Sequence, residues 1–148
     1  VYGLAGLRFV WLVAPESVVE DAWRWKDYTT ISPSIVSQHV AAQALGAQEA
    51  DILAENRDLA ATNREIVREF LAAHGLSWYD PVGVNGFFAL PDGWEDSEAF
   101  CRAFAETESV VLAPGAAFGV EGYVRIGFGL PTPELREGLS RLERFLGA

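Results

Sequence analysis

Two arginines stand where a guanidinium has little ordinary reason to be, and each implies an anion. In EGYVRIGFG, residues 121–129, strand alternation puts Val124, Ile126 and Phe128 on one face and Tyr123, Arg125 and Gly127 on the other. A guanidinium among apolar and small neighbours is costly, on the order of several kcal/mol, unless an anion meets it. Its planar fork matches a carboxylate through two parallel hydrogen bonds. The partner is therefore either one of the chain's own acids or the carboxylate of a substrate. Arg8 follows the small-residue turn Gly3-Leu4-Ala5-Gly6-Leu7 and precedes the apolar run FVWLV. That turn lets the backbone approach an anion, and the guanidinium suits a phosphate; the alternative is an arginine at the core edge paired with an aspartate. Just ahead of Arg125, the loop APGAAFGVEG, residues 113–122, has side chains small enough for a ligand to reach the backbone, and equally suits a plain inter-strand connection.

Other reactive side chains carry less. His39 and His74 are far apart with no ligand cluster around either, so no metal site is expected and both belong on helix surfaces. The single cysteine, Cys101, lies in AFCRAF on the apolar side of a helix; it permits no intrachain disulfide and points to a reducing, cytoplasmic setting. Of Trp23 and Trp25, one ring is expected to pack and the other to be half-exposed. With 21 acidic against 11 basic residues the net charge is -10, which argues against a surface that tracks nucleic-acid phosphates. The opening apolar run is broken by Arg8 and stops at Pro15, too short for a membrane span. At 148 residues the chain is about one domain's worth, with an ordinary globular composition. It contains no methionine and begins in mid-pattern on Val1, which reads as a piece of a longer protein.

The elements that must position these residues follow from periodicity and punctuation. FVWLV, residues 9–13, suits a strand buried on both faces. Pro15-Glu16-Ser17 opens a helix whose buried stripe would be Val18, Val19, Ala22 and Trp23. The hydroxyl-rich YTTISPS is a loop that offers Ser32 or Ser34 as cap to a helix over 34–45. From Gln48 to His74 runs a long helical pattern, with Ile52, Leu59, Ile66 or Val67, Phe70 and His74 at near-heptad spacing, closed by Gly75. Turn residues around Pro81 to Gly86 lead into a strand over 87–90; Asp92-Gly93 is a turn; Ser97 to Glu106 is helical; VVLAP and EGYVRIGFG are strands; and PTPELREGLSRLERFLGA is an amphipathic helix. The order describes a small α/β layer over 47–148, with residues 1–46 as the end of a different body.

Taken together, Y-G-L-A-G-L-R near the start, A-P-G-A-A-F-G about 110 residues on, and Y-V-R-I-G-F soon after resemble the class I/II family of pyridoxal-phosphate-dependent aminotransferases of fold type I. The resemblance implies the C-terminal part of that α/β fold: the end of the large cofactor-binding domain, the long connecting helix, and a small α/β domain whose short sheet is covered by helices. It implies pyridoxal 5'-phosphate as cofactor and makes Arg8 the arginine on its phosphate. Arg125 becomes the arginine that grips the substrate's α-carboxylate, and Phe118 and Gly119 line the substrate side. The family's Schiff-base lysine lies eight residues before the phosphate arginine, immediately before Val1, so no catalytic residue is expected within this sequence; Lys26, in WRWKDY, does not match the motif. A homodimer acting on an amino acid or 2-oxo acid is likewise implied, with no nucleic acid and no membrane contacted by this segment.

WKDYTTISPS and YGLAGLR further resemble a subgroup, including capreomycidine synthase, that acts on arginine or hydroxyarginine by replacement and ring closure. A third possibility is the cofactor-sensing aminotransferase-like domain of certain transcription regulators.

Overall fold

The computed structural model describes residues 2–147, which fall into two compact units, Val1–Asn56 and Arg57–Ala148. In the first, a single 3-10 turn, Ala5–Leu7, precedes helices α1, Glu16–Lys26, and α2, Ile35–Ala44. Ser34 is the cap of α2, its side chain accepting from the Ser37 N–H. Helix α3, Glu49–Ala73, begins in this unit and runs on into the second.

Two expectations fail here for one reason. Residues 9–13 form no strand, and Val10 and Val13 are 85% and 88% exposed. Helix α1 forms where expected but buries nothing; Val18, Val19, Trp23 and Trp25 are all exposed. An apolar run becomes a strand only when a neighbour supplies hydrogen bonds, and an apolar stripe becomes core only when another element covers it. Neither neighbour is present among the described residues.

The second unit contains the larger core. Helix α3 reaches Ala73 and is closed at Gly75, where the N–H groups of Leu76 and Gly75 donate to the carbonyls of Leu71 and Ala72. This crossed pair of bonds satisfies the last turn. The buried stripe of α3 is Asn63, Val67 and Leu71, with Ile66 and Phe70 packed at its flank. Next come β1, Trp78–Tyr79, β2, Asn85–Ala89, α4, Ser97–Glu108, β3, Ala113–Pro114, β4, Tyr123–Gly127, and α5, Thr132–Leu146. The four strands form one antiparallel sheet in the order β1-β2-β4-β3.

One face of the sheet is sealed. Phe88, Val124, Ile126 and Phe128 meet Val67 and Leu71 of α3, Phe100, Cys101 and Phe104 of α4, and Leu135, Leu139 and Leu142 of α5. Burying each large apolar side chain contributes about 1.5–3 kcal/mol. Among these, the Cys101 thiol is pushed up to about 11 by burial, so it stays protonated and unreactive. The expected strand over VVLAP shrinks to Ala113–Pro114. Val110 and Leu112 still point into the core while Val111 is 84% exposed, an alternation produced by packing without a ladder. No helix among the described residues is long and apolar enough to cross a membrane.

Candidate functional site

Register decides what surrounds Arg125. In the antiparallel sheet it lies opposite Phe87 on β2 and Ala113 on β3, while Asn85 pairs with Gly127. Asn85, Phe87, Tyr123 and Arg125 thus share the face that the helices leave open. Arg125 Nη2 donates to Asn85 Oδ1 at 3.0 Å, and its guanidinium carbon lies 4.9 Å from the centroid of the Phe118 ring. Among the described residues no carboxylate comes within ion-pair distance of Arg125, although other arginines in this unit have acidic partners at 2.7–2.8 Å. In a chain carrying 21 acids, the one arginine on the open sheet face is met by a neutral amide and an aromatic ring. Its charge is unspent.

Phe118 is delivered by a built loop. The single 3-10 turn Gly115–Phe118 follows β3, and Gly119 takes a left-handed φ of 72° directly after it. A Cβ on Gly115 would fall 2.0 Å from the Val120 carbonyl oxygen and 2.4 Å from that of Tyr123, so the loop crosses its own backbone there. The fully buried Ser97 accepts through Oγ from the Ala116 N–H at 3.2 Å, and Glu121 Oε1 accepts from the N–H groups of Ser97 and Gly122, both at 2.9 Å. These backbone hydrogen bonds hold the Glu121 carboxyl below the usual carboxylate range. The loop is thereby tied to the N-terminus of α4, whose own cap is Asp96, accepting from Glu98 and Ala99. Phe118 remains 46% exposed and meets the Phe87 ring edge-on at 5.6 Å.

Two tyrosines extend this face. Tyr123 and Tyr79 bring their hydroxyls to 3.4 Å and their rings to 5.4 Å, and the shared hydrogen bond raises the Tyr123 phenol above its ordinary value. On the other flank, a groove of about 850 Å³ opens where β3 stops pairing, between residues 109–113 and α5, with Arg125 and Asn85 at its margin.

Arg8 belongs to the first unit. Its N–H closes the 3-10 turn on the Ala5 carbonyl at 3.1 Å, and its backbone is left-handed at φ 53°. A non-glycine residue held there is uncommon and stores strain of about 1–3 kcal/mol, a feature that clusters at ligand clamps. The side chain is exposed and, among the described residues, makes no hydrogen bond or ion pair. An unpaired guanidinium on a turn of small residues fits a phosphate group. His39 and His74 join no metal-holding cluster among the described residues.

The structure thus brings Arg125 and Phe118 together, with Gly119 beside them. It adds Asn85, Ser97 and Glu121, which sequence reasoning missed. Asn85 carried one faint signal, its place at the start of a strand ahead of an apolar pair, but no pattern shows which strand it will face.

The family model for aminotransferase class I and II matches residues 1–142. The chain is 37% identical to capreomycidine synthase of Streptomyces vinaceus over 99% of its own length and 38% of that protein's. Among solved structures it is similar to a PLP-dependent aminotransferase from Streptococcus suis, with a TM-score of 0.89 and 31% identity, covering 99% of this chain and 39% of that one. It is also similar to the PLP-dependent cyclase OrfR, with a TM-score of 0.86 and 31% identity over 99% of this chain and 40% of that one. The chain therefore spans about two fifths of the length of the relatives it matches.

Proposed function

The chain belongs to the aminotransferase class I and II family, and from that premise we propose that it forms the C-terminal part of a pyridoxal-phosphate enzyme that carries out transamination of an α-amino acid. The observation that carries this reading is Arg125: a guanidinium on an open sheet face, held by Asn85 and Phe118 and by no acid among the described residues. A substrate α-carboxylate is the partner its fork lacks. Residues 1–46 are read as the end of the cofactor-binding domain and 47–148 as the long helix with the small domain.

When bound, pyridoxal phosphate supplies an electron sink for the charge left on a substrate's Cα once its proton departs. Arg8 would hold the cofactor's phosphate dianion through its free guanidinium. Arg125 would clamp the carboxylate, fixing the direction of the Cα–H bond, and Phe118 would cover one face of that guanidinium and exclude water from it; Gly119, without a side chain, leaves the substrate room beside them. These are positioning roles, which convert an encounter into an oriented complex. The amine that moves the proton would belong to the lysine expected immediately before Val1, and not to Lys26. A cytoplasmic homodimer, accepting amino acids and 2-oxo acids, completes the reading.

The likeness to capreomycidine synthase and to the cyclase OrfR favours a second reading, replacement and ring closure on an arginine-type amino acid. In the complete protein, Arg125→Ala should lower kcat/KM by about a hundredfold or more while the cofactor's visible absorbance persists. Unchanged kinetics would remove Arg125 from the substrate site. Product analysis with arginine and β-hydroxyarginine separates the readings: a 2-oxo acid means transamination, a cyclic guanidine means ring closure.

A further inference from the structure

We propose that Asn85 is the positioning residue for the Arg125 guanidinium, and that Gly127 is its necessary companion; the inference rests on the reading that Arg125 receives a carboxylate. Three contacts converge. Asn85 Oδ1 accepts from Arg125 Nη2 at 3.0 Å. The Phe118 ring lies under the guanidinium at 4.9 Å. Gly127 is the register partner of Asn85, and a Cβ there would stand 3.2 Å from Asn85 Oδ1, tighter than ordinary contact. The missing side chain at 127 leaves Asn85 Oδ1 the room it occupies beside Arg125.

The chemistry of the acceptor is the point of the arrangement. A guanidinium carries five N–H donors and one charge. An aspartate at 85 would fix its direction equally well but would neutralise it, and an incoming carboxylate would have to displace that ion pair. A neutral carbonyl oxygen occupies one donor, sets the plane of the fork with the help of Phe118, and leaves the charge for the ligand. The bond has an ionised donor but a neutral acceptor, so it orients the guanidinium without pairing its charge, and a substrate carboxylate that supplies the opposite charge and two parallel bonds gains more than the amide gives up.

The test uses the complete, cofactor-loaded protein and two reagents that trap the cofactor's aldehyde carbon as an oxime, releasing the lysine amine: aminooxyacetate, which bears a carboxylate, and methoxyamine, which does not. Loss of the visible band gives each rate, and their ratio reports the carboxylate grip whatever the natural substrate. Wild type should prefer aminooxyacetate, and Arg125→Ala should abolish the preference. Asn85→Ala should reduce it about fivefold to tenfold, the worth of one orienting hydrogen bond. The isosteric Asn85→Asp should reduce it further than Asn85→Ala, with methoxyamine rates unchanged in both, and Gly127→Ala should resemble Asn85→Ala. If wild type shows no preference, or Arg125→Ala keeps it, the carboxylate reading falls and this inference with it. If Arg125→Ala loses the preference while Asn85→Asp retains the wild-type ratio, or matches Asn85→Ala, the inference alone is overturned.

Discussion

Asn63→Asp changes one atom pair and should cost this fold more than most core truncations. Asn63 is fully buried on α3, and its amide nitrogen donates to the carbonyls of Phe128 and Leu130, both at 2.8 Å, while its oxygen accepts from Thr132 Oγ1 at 2.8 Å. These three bonds pin the helix to the chain between β4 and α5, downstream of Arg125. Aspartate preserves shape but replaces a two-proton donor by an acceptor facing two carbonyl oxygens. Leaving the buried Phe128 carbonyl without a donor costs about 1–3 kcal/mol and the part-buried Leu130 carbonyl somewhat less, and an unpaired buried charge adds to that. The expected loss at neutral pH is therefore about 4 kcal/mol, against about 3 kcal/mol for Asn63→Ala. The sign with pH follows from the same geometry. Buried and facing two carbonyl oxygens, the introduced carboxyl would have its folded pKa raised above the unfolded value of about 3.9. The variant's deficit relative to wild type is then smallest below that value and grows as pH rises through the folded pKa. Urea unfolding of the complete protein, read by Trp78, whose ring packs 6.3 Å from Phe128, together with hydrogen exchange at Leu71 and Val124, measures both. A variant within about 0.5 kcal/mol of wild type at pH 7, or one whose deficit does not change with pH, would refute the reasoning.

Three further outcomes are expected. Arg8→Ala in the complete protein should weaken cofactor retention while leaving the fold intact; a variant that keeps its cofactor through dialysis would count against the phosphate role. Gly115→Ala drives a Cβ to within 2.0 Å of a backbone oxygen, so it should destabilise by about 1–3 kcal/mol or more and loosen the carboxylate preference by displacing Phe118; a crystal structure with the 115–119 loop unmoved would contradict this. Glu121, whose carboxyl is held below the usual range by the Gly122 and Ser97 N–H groups, contributes stability that is present above about pH 4.3 and lost as pH falls through its lower folded value. Glu121→Gln should remove that part of the acid sensitivity, and an acid-unfolding profile identical to wild type would show that the carboxylate does not act there.

How much was legible depended on whether the cause lay within a segment. The long helix and its stop at Gly75, the Ser34 cap, the amphipathic α5 and the two faces of β4 all follow from local periodicity and local hydrogen bonding, and the structure has them. The strand over 9–13 and the buried stripe of α1 did not appear, because both depend on a covering neighbour and none is present among the described residues. The ladder over VVLAP shortened to two residues for a related reason: side-chain burial alone produces alternation without pairing.

The sequence by itself determined the family, the helices and the β2 and β4 strands of the second unit, and the fact that Arg125 would stand on the face opposite Val124 and Ile126; it did not show the short strand Trp78–Tyr79, which exists only through its pairing with β2. It could not say who would meet that arginine. Asn85 reaches it across 40 residues because β2 pairs with β4 in one register, and a slip by one residue would have turned the carboxamide to the other face. Likewise Ser97 and Glu121 hold the Phe118 loop only because the first turn of α4 docks against it. Side-chain type and parity are written locally; which groups share a surface is set by strand register and helix docking, and those exist only once the core has closed.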